Sequence, residues 1–401
     1  MTELLYLADP YLTRFSATIV ERLTDQDKYG VILDRTAFYP TSGGQLHDTG
    51  TINGITVYSL DIIEDDVIHW IGSPIESDQI EGVVDWERRF DHMQQHTGQH
   101  ILSAAFENIS NAATVGFHMS DDYCTIDLDI NRVDSNLVQR IEDLVNEVVT
   151  DNKPVTTKTV IRNESEPHAL RKPPPDHPVL RLVEVEGFDI CACGGTHVNR
   201  TGEIGLIKIT STENRPGNKV RIEFLCGSRA IKDYRFKHQL MTDLGVAFTT
   251  SIEDVPQSVE KLRGQIKQLR KQNQSQLQRL AEFEASHMIS SALNTEKGKV
   301  VSAVLTDELA EHAGTISNSI TKRGEMIVLL GINAAKPRLM FARSEKVDLS
   351  VSDLLRLVLS KYDGWSGGGR PHLAQGGGPK GQGDSLKPIL AEALEEITRF
   401  T

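Results

Sequence analysis

The chain has 401 residues, 39% hydrophobic and 25% charged, with a formal charge of −13; this is enough for two or three globular domains and excludes wholesale disorder. No apolar run approaches the roughly 18 residues of a membrane span, and no basic-then-apolar leader opens the sequence, so neither a membrane nor secretion is expected. The acidic balance argues against a large non-specific nucleic-acid surface, and four scattered cysteines (Cys124, Cys191, Cys193 and Cys226) suit a reducing cytoplasm rather than a disulfide framework.

In chain order, apolar or β-branched runs come first: Phe15–Arg22, Tyr29–Leu33, Gly50–Leu60, Val67–Ile71 and Ile80–Val84, broken by Asp, Gly and Pro. Five strands at that spacing predict a small β-barrel over residues 1–88. Inside it, residues 35 to 45 read Arg-Thr-Ala-Phe-Tyr-Pro-Thr-Ser-Gly-Gly-Gln, where Gly43 and Gly44 permit positive φ and close backbone approach. Residues 89–245 have an α+β pattern. Asp91 is placed to cap a helix in which Met93, Thr97, Ile101 and Ala104/Ala105 recur at helical spacing to about Asn108. Thr125–Ile130 reads as a strand, and Asp134 or Ser135 opens a second helix with Leu137, Ile141, Leu144, Val145 and Val148 on one face. Lys172–Pro178 is a Pro-rich loop, and strands at Gly205–Thr210 and Val220–Cys226 flank a turn with Asn214, Pro216 and Gly217.

Over residues 246–296 the period changes. Val255, Val259, Leu262, Ile266, Leu269 and Asn273 alternate steps of four and three, Leu280 and Phe283 resume the register, and Leu277 makes a stutter. That is the pattern of a helical arm or hairpin packed in coiled-coil fashion. The same segment carries Lys261, Arg263, Lys267, Arg270, Lys271 and Arg279 against Glu260 alone, a basic stripe in an acidic chain, which is also the pattern of a solvated helix face. Residues 297–401 alternate strand-like runs (Val300–Leu305, Met326–Gly331, Arg338–Ala342) with helical ones (Ser350–Leu359, Leu386–Phe400), a small α/β domain bearing a glycine-rich stretch from Gly367 to Gly378.

The chemistry concentrates in two pairs. His96 and His100 are one helical turn apart, about 6 Å along the axis, so both imidazoles can converge on one ion. The metalloprotease reading needs Glu directly after the first histidine, and position 97 is Thr. Cys193-Gly-Gly-Thr-His197 follows 92 residues after His100; its glycines favour a tight turn that folds Cys and His toward one point, while Cys191 offers a competing ligand. Together the pairs predict a zinc site, structural if closed by four protein ligands and catalytic if one position is open.

The segments MQQHTGQH at 93–100, ICACGGTHV at 190–198 and TAFYPTSGGQLHDTG at 36–50 together resemble the editing module of alanyl-tRNA synthetase. They are more similar still to its free-standing relatives, the long AlaX-type alanyl-tRNA editing proteins. TVGFHMSDDYCTIDL at 114–128 is similar to the strand after the HxxxH helix in that family, and GGGRPHLAQGGGP at 367–379 resembles the glycine-rich signature of DHHA1 domains. The likeness spans most of the chain and implies a multidomain α+β fold: an N-terminal small β-barrel, a zinc-containing α+β editing domain, a coiled-coil-like arm and a C-terminal α/β DHHA1-like domain.

The resemblance implies a trans-editing hydrolase that removes serine, and in some members glycine, from mischarged alanine tRNA, without alanine activation or ATP. His96, His100, Cys193 and His197 would be the zinc-site residues, with His197 either a ligand or a base beside the ion. Gly43 and Gly44 match the family's glycine motif beside the editing pocket. Zinc would either organise the amino acid or activate a water. Preference for serine needs a group reserved for its hydroxyl, for which Thr36, Gln45, Gln99 and His118 are candidates. Synthetase editing motifs often carry Ala-Thr before the second histidine, whereas this chain has Gly98-Gln99, so a threonine-based specificity element does not carry over. With tRNA as partner, Lys261, Arg263, Lys267, Arg270 and Lys271 become candidate phosphate contacts, and the C-terminal half a candidate for tRNA binding or homodimer formation. Neither a phosphate-loop motif nor Asp-His-His occurs. The alternatives are a tRNA-binding protein with a structural zinc, and a zinc hydrolase of another small ester.

Overall fold

Asn53 and Gly54 both take left-handed backbone, φ 50° and 81°, as a two-residue hairpin loop demands. They split the single strand expected over Gly50–Leu60 into an antiparallel pair, Gly50–Ile52 (β3) and Ile55–Ile63 (β4). With Arg14–Asp25 (β1), Lys28–Leu33 (β2), Asp66–Ile71 (β5) and Gln79–Val84 (β6), these close a barrel in the order β1-β2-β5-β4-β3-β6. Phe38, Leu33, Ile52 and Ile71 lie fully inside it, each such side chain contributing about 1.5–3 kcal/mol. The computed structural model describes residues 1–161, 170–173, 176 and 178–399. Part of the expected Pro-rich loop (174, 175 and 177) and Phe400 of the expected last helix lie outside them.

The chain divides into two units, Met1–Val246 and Ala247–Thr401. In the first, the long helix begins at Trp86, not at Asp91, and runs to Ser110 (α1). Asp85 caps it, its carboxylate accepting from the amides of Glu87 and Arg88, while Asp91 is taken by Arg229. Thr114–Met119 (β7) pairs with Cys124–Asp129 (β8), the strand expected from Thr125. Asp134 caps Ser135–Thr150 (α2), leaving the apolar face Ile141, Val145 and Val148 buried against α1. Val155–Ile161 (β9), Val179–Val185 (β10) and Asp189–Ala192 (β11) form a separate antiparallel sheet that the sequence reading did not contain. Ile207–Arg215 (β12) and Lys219–Cys226 (β13) run longer than expected and complete a sheet in the order β12-β13-β8-β7, followed by helix Gly227–Phe248 (α3).

His92 on α1 is 1% exposed and neither ring nitrogen has a hydrogen-bond partner among the described residues. Burial first, then Arg88 and Arg229, push its pKa down to about 3. A depressed histidine adds stability above its unfolded value of about 6.5, which is lost as pH falls from there toward 3. Between pH 5 and 6, His92→Leu should therefore flatten the fall of unfolding free energy by roughly 1.2 kcal/mol per pH unit, measurable by denaturant titration at several pH values.

In the second unit, Val255–Ser290 (α4) is one continuous helix whose last turns bury Ala281 and Ala285 against the sheet. Along its middle, Val259, Leu262, Ile266 and Leu269 are 37–63% exposed. Leu293–Thr295 (β14), Gly298–Leu305 (β15), Met326–Ile332 (β16), Arg338–Arg343 (β17), Ser366–Arg370 (β18) and Leu373–Gly377 (β19) make one sheet in the order β14-β15-β16-β17-β19-β18. The glycine-rich stretch is thus the β18–β19 hairpin. Helices Ala313–Thr321 (α5), Val351–Leu359 (α6) and Leu386–Arg399 (α7) supply the rest of the core. No described helix is long and apolar enough to cross a membrane.

Candidate metal centre

His96 and His100 project from the interior face of α1, each 3% exposed. Cys193 and His197 follow β11 around the Gly194-Gly195 turn. One ligand atom from each of the four lies within 4.8 Å of all the others. The Cys193 Sγ is 3.4 Å from Nε2 of both His96 and His197. Imidazole centroids are 5.3 Å apart for His96–His100, 4.5 Å for His96–His197 and 4.8 Å for His100–His197.

The turn depends on two neighbours. Arg181 of β10 donates from one Nη1 to the carbonyls of Cys193 and Gly195, both at 2.9 Å. A Cβ on Gly195 would stand 2.1 Å from His96 Cε1 and 2.4 Å from Nδ1, so only glycine allows the turn to press against that imidazole.

The ring nitrogens facing away from Cys193 are also held. His96 Nδ1 meets Gln45 Oε1 at 2.7 Å, while the Gln45 amide donates to Thr196 Oγ1 at 2.8 Å and Thr196 N donates back to Oε1 at 3.2 Å. Because that oxygen only accepts, His96 carries its proton on Nδ1 and turns a bare Nε2 to the cluster. His197 Nδ1 contacts Thr97 Oγ1 at 3.1 Å, so the residue where a protease would carry Glu steadies the second histidine. His100 Nδ1 lies 3.3 Å from Asp189 Oδ2. Such outer partners are what ligating histidines ordinarily have.

Gln45 reaches the cluster through the glycine motif. Ser42 and Gln45 exchange backbone hydrogen bonds of 3.1 and 2.9 Å around Gly43 and Gly44, at φ 56° and 87°. The Gly44 carbonyl accepts from Met119 N of β7 at 3.2 Å, and Phe117 of the same strand stacks on His96 at 5.5 Å and 30°. Behind the motif, Asp48 forms a fully buried ion pair with Arg89 of α1.

Burial alone would push the Cys193 thiol up, but His96, His197 and His100 outweigh it and hold it well below the usual thiol range. Burial would also lower His100, yet Asp189 and Cys193 raise it to about 9, whereas burial takes His197 down to about 3. A cysteine whose neighbours favour its thiolate form, beside three imidazoles with held outer nitrogens, is a donor set that fits zinc.

The other expected site residues fall in different places. Thr36 is buried in the barrel, its hydroxyl paired with His69 Nε2 at 2.7 Å and accepting from Phe38 N at 3.1 Å. Gln99 is 6% exposed and its amide donates to Ser103 Oγ at 2.8 Å. His118 is exposed, on the face of β7 opposite Phe117. Arg263, Lys267, Arg270 and Lys271 share one exposed side of α4, with Lys261 on another. Thr97, Phe117, Arg171, Arg181, Asp189 and Thr196 were missed. Strand alternation could have paired Phe117 against His118; the rest are recognisable only once distant segments meet.

Family models match three stretches: the DHHA1 domain at 284–399, the threonyl and alanyl tRNA synthetase second additional domain at 180–223, and tRNA synthetases class II (A) at 11–88. The chain is 31% identical to alanyl-tRNA editing protein AlaX-L of Pyrococcus horikoshii, over 94% of each chain. It is 32% identical to alanyl-tRNA editing protein Aarsd1 of Rattus norvegicus, over 80% of this chain and 81% of that one. Alanyl-tRNA editing protein AlaX-M of Methanosarcina acetivorans is 38% identical over 56% of this chain and 98% of its own.

Proposed function

The chain belongs to the AlaX-type alanyl-tRNA editing proteins, and on that premise we propose that His96, His100, Cys193 and His197 hold a zinc ion at which the ester of wrongly charged alanine tRNA is cleaved. The chain is an aminoacyl-tRNA deacylase that edits alanine tRNA in trans. The observation that carries the zinc reading is the convergence of three imidazoles and one thiol within 4.8 Å. When bound, zinc supplies a Lewis acid for the ester carbonyl or for an attacking water. His96 and His197 present Nε2 because Gln45 and Thr97 engage their Nδ1 atoms. This supports His197 as a ligand rather than a free base. Gln45 then acts on His96 and on the Cys193–His197 turn through Thr196, more than as a reader of the serine hydroxyl.

An aminoacyl ester is already reactive, so holding it against one polarising cation suffices without a covalent nucleophile. Serine is the proposed main substrate, glycine the second. The domains assigned to this reading are the barrel at 1–88, the editing domain at 89–245, the arm at 246–296 and the DHHA1-like domain at 297–401. The test is release of serine and of alanine from the respective esters of alanine tRNA, before and after chelation. Release that favours the serine ester and returns on adding zinc supports the reading; equal, chelator-insensitive release would refute it.

The exposed stripe of Arg263, Lys267, Arg270 and Lys271 on α4 is assigned to the tRNA backbone, with Lys261 beside it. Lys267→Glu with Arg270→Glu should weaken tRNA binding by about tenfold or more and flatten its salt dependence by roughly two counterions, read by filter binding at several salt concentrations. A second copy of the chain would find its partner face in the exposed seam Val259, Leu262, Ile266 and Leu269.

A further inference from the structure

His100 is the one imidazole of the cluster whose outer nitrogen faces a charge. Asp189 Oδ2 lies 3.3 Å from His100 Nδ1, and the other carboxylate oxygen accepts from Arg171 Nε at 2.7 Å. All three are withdrawn from water: the side chains of His100, Asp189 and Arg171 are 4%, 1% and 7% exposed. His100 Nδ1 and Asp189 Oδ2 make no aligned hydrogen bond with any described residue, so at this distance each is the other's nearest available partner. Asp189 starts β11, the strand that leads into Cys193, and Arg171 donates its backbone N–H to Ile190 O of the same strand at 2.9 Å. One short segment therefore carries both a ligand and the group facing another ligand.

We propose that Asp189 orients His100 for the metal, and that Arg171 pins Asp189 so that its carboxylate remains an outer partner instead of entering the shell. A divalent ion with one thiolate and three neutral imidazoles carries a net charge of about +1, and the buried Arg171 beside it adds another; Asp189, lying against both His100 and Arg171, brings that buried total of about +2 down to about +1. A carboxylate so close to a cation is itself a competent zinc ligand. Arg171 holds it back by taking its other oxygen, and Asp189 stands outside the group of convergent ligand atoms. Asp189 and Arg171 are thus positioning residues, acting through His100.

The inference rests on the zinc reading above, and its test separates the two. Zinc affinity is measured by competition with a chromophoric chelator for the full-length wild type, Asp189→Asn, Arg171→Ala and Arg171→Lys, each checked for folding by circular dichroism. Cobalt(II) is then added to the metal-free proteins and its visible absorption recorded. Wild type should bind zinc and give the intense visible bands of a four-coordinate site. Asp189→Asn and Arg171→Ala should bind zinc about 10–100-fold more weakly, with weaker cobalt bands, and Arg171→Lys should recover most of the affinity. If wild type binds no zinc, the metal reading fails and this inference with it. If wild type binds but both variants match it within twofold, only the inference fails. Variants that melt earlier yet keep wild-type affinity and cobalt bands would make the pair purely structural and also overturn it.

Discussion

Cys193→Ala should lower the rate of seryl-tRNA deacylation by about a thousandfold or more, equivalent to ~4 kcal/mol of transition-state stabilisation. The thiol is the sole sulfur of the cluster and lies 3.4 Å from two of the imidazoles. The substitution removes both the donor that makes the set attractive to zinc and the negative charge that balances it. The remaining three imidazoles still converge, so some metal should bind at high concentration, with activity partly returning as zinc is raised. A Cys193→Ala protein with unchanged activity and metal content would remove the centre from the mechanism. The fold should survive, because Cys193 packs only against the edge of the core around Met93, Ile101 and Phe224, as a partly buried side chain outside the fully buried cluster.

Arg89→Met should destabilise the protein by about 3–5 kcal/mol, read as a lower denaturation midpoint at unchanged slope. Arg89 and Asp48 are both 0% exposed. The guanidinium donates to both Asp48 oxygens, to Pro10 O at 2.8 Å and to Ala37 O at 2.6 Å, while Asp48 also accepts from Tyr39 N at 2.6 Å. Removing the cation strands a buried carboxylate and two carbonyls. Asp48→Ala with Arg89→Met should cost less than the sum of the single changes, because neither charge is then left alone. The pair also joins α1 to the loop that delivers Gln45. Arg89→Met should therefore weaken zinc affinity as well as stability, whereas a core substitution such as Val57→Ala should lower stability alone.

The His/Cys quartet that could hold a metal was legible in the sequence because its spacing is local: three residues between two histidines on a helix, and three between Cys and His around a glycine turn. The supporting groups were not. Gln45, Asp189 and Thr196 have no mutual spacing rule, since the fold brings them together from separate segments. Asp91 looked like the helix cap because an acid before an apolar period is the usual signal; Asp85 carries the same signal six residues earlier and is the residue that caps. The hairpin at Asn53-Gly54 was marked by its turn dipeptide, but the apolar run masked it. Val155–Ile161 buries only Val155 at its start and leaves the four residues from Thr156 to Thr159 exposed in a row, so it has no alternation by which to read a strand.

The two halves of the candidate metal centre leave the ribosome at different times. With 92 residues between His100 and Cys193, synthesis at roughly 5–20 residues per second separates the histidine pair from the cysteine by about 5–20 s. During that interval α1 and the barrel can already assemble, since Arg89 and Asp48 are both present. The nascent chain then holds two well-placed imidazoles and no thiolate, a set that suits copper or nickel as readily as zinc. On the proposed zinc reading, metal choice becomes a matter of timing: the ion that stays would be the one preferred once the turn after β11 adds the Cys193 sulfur.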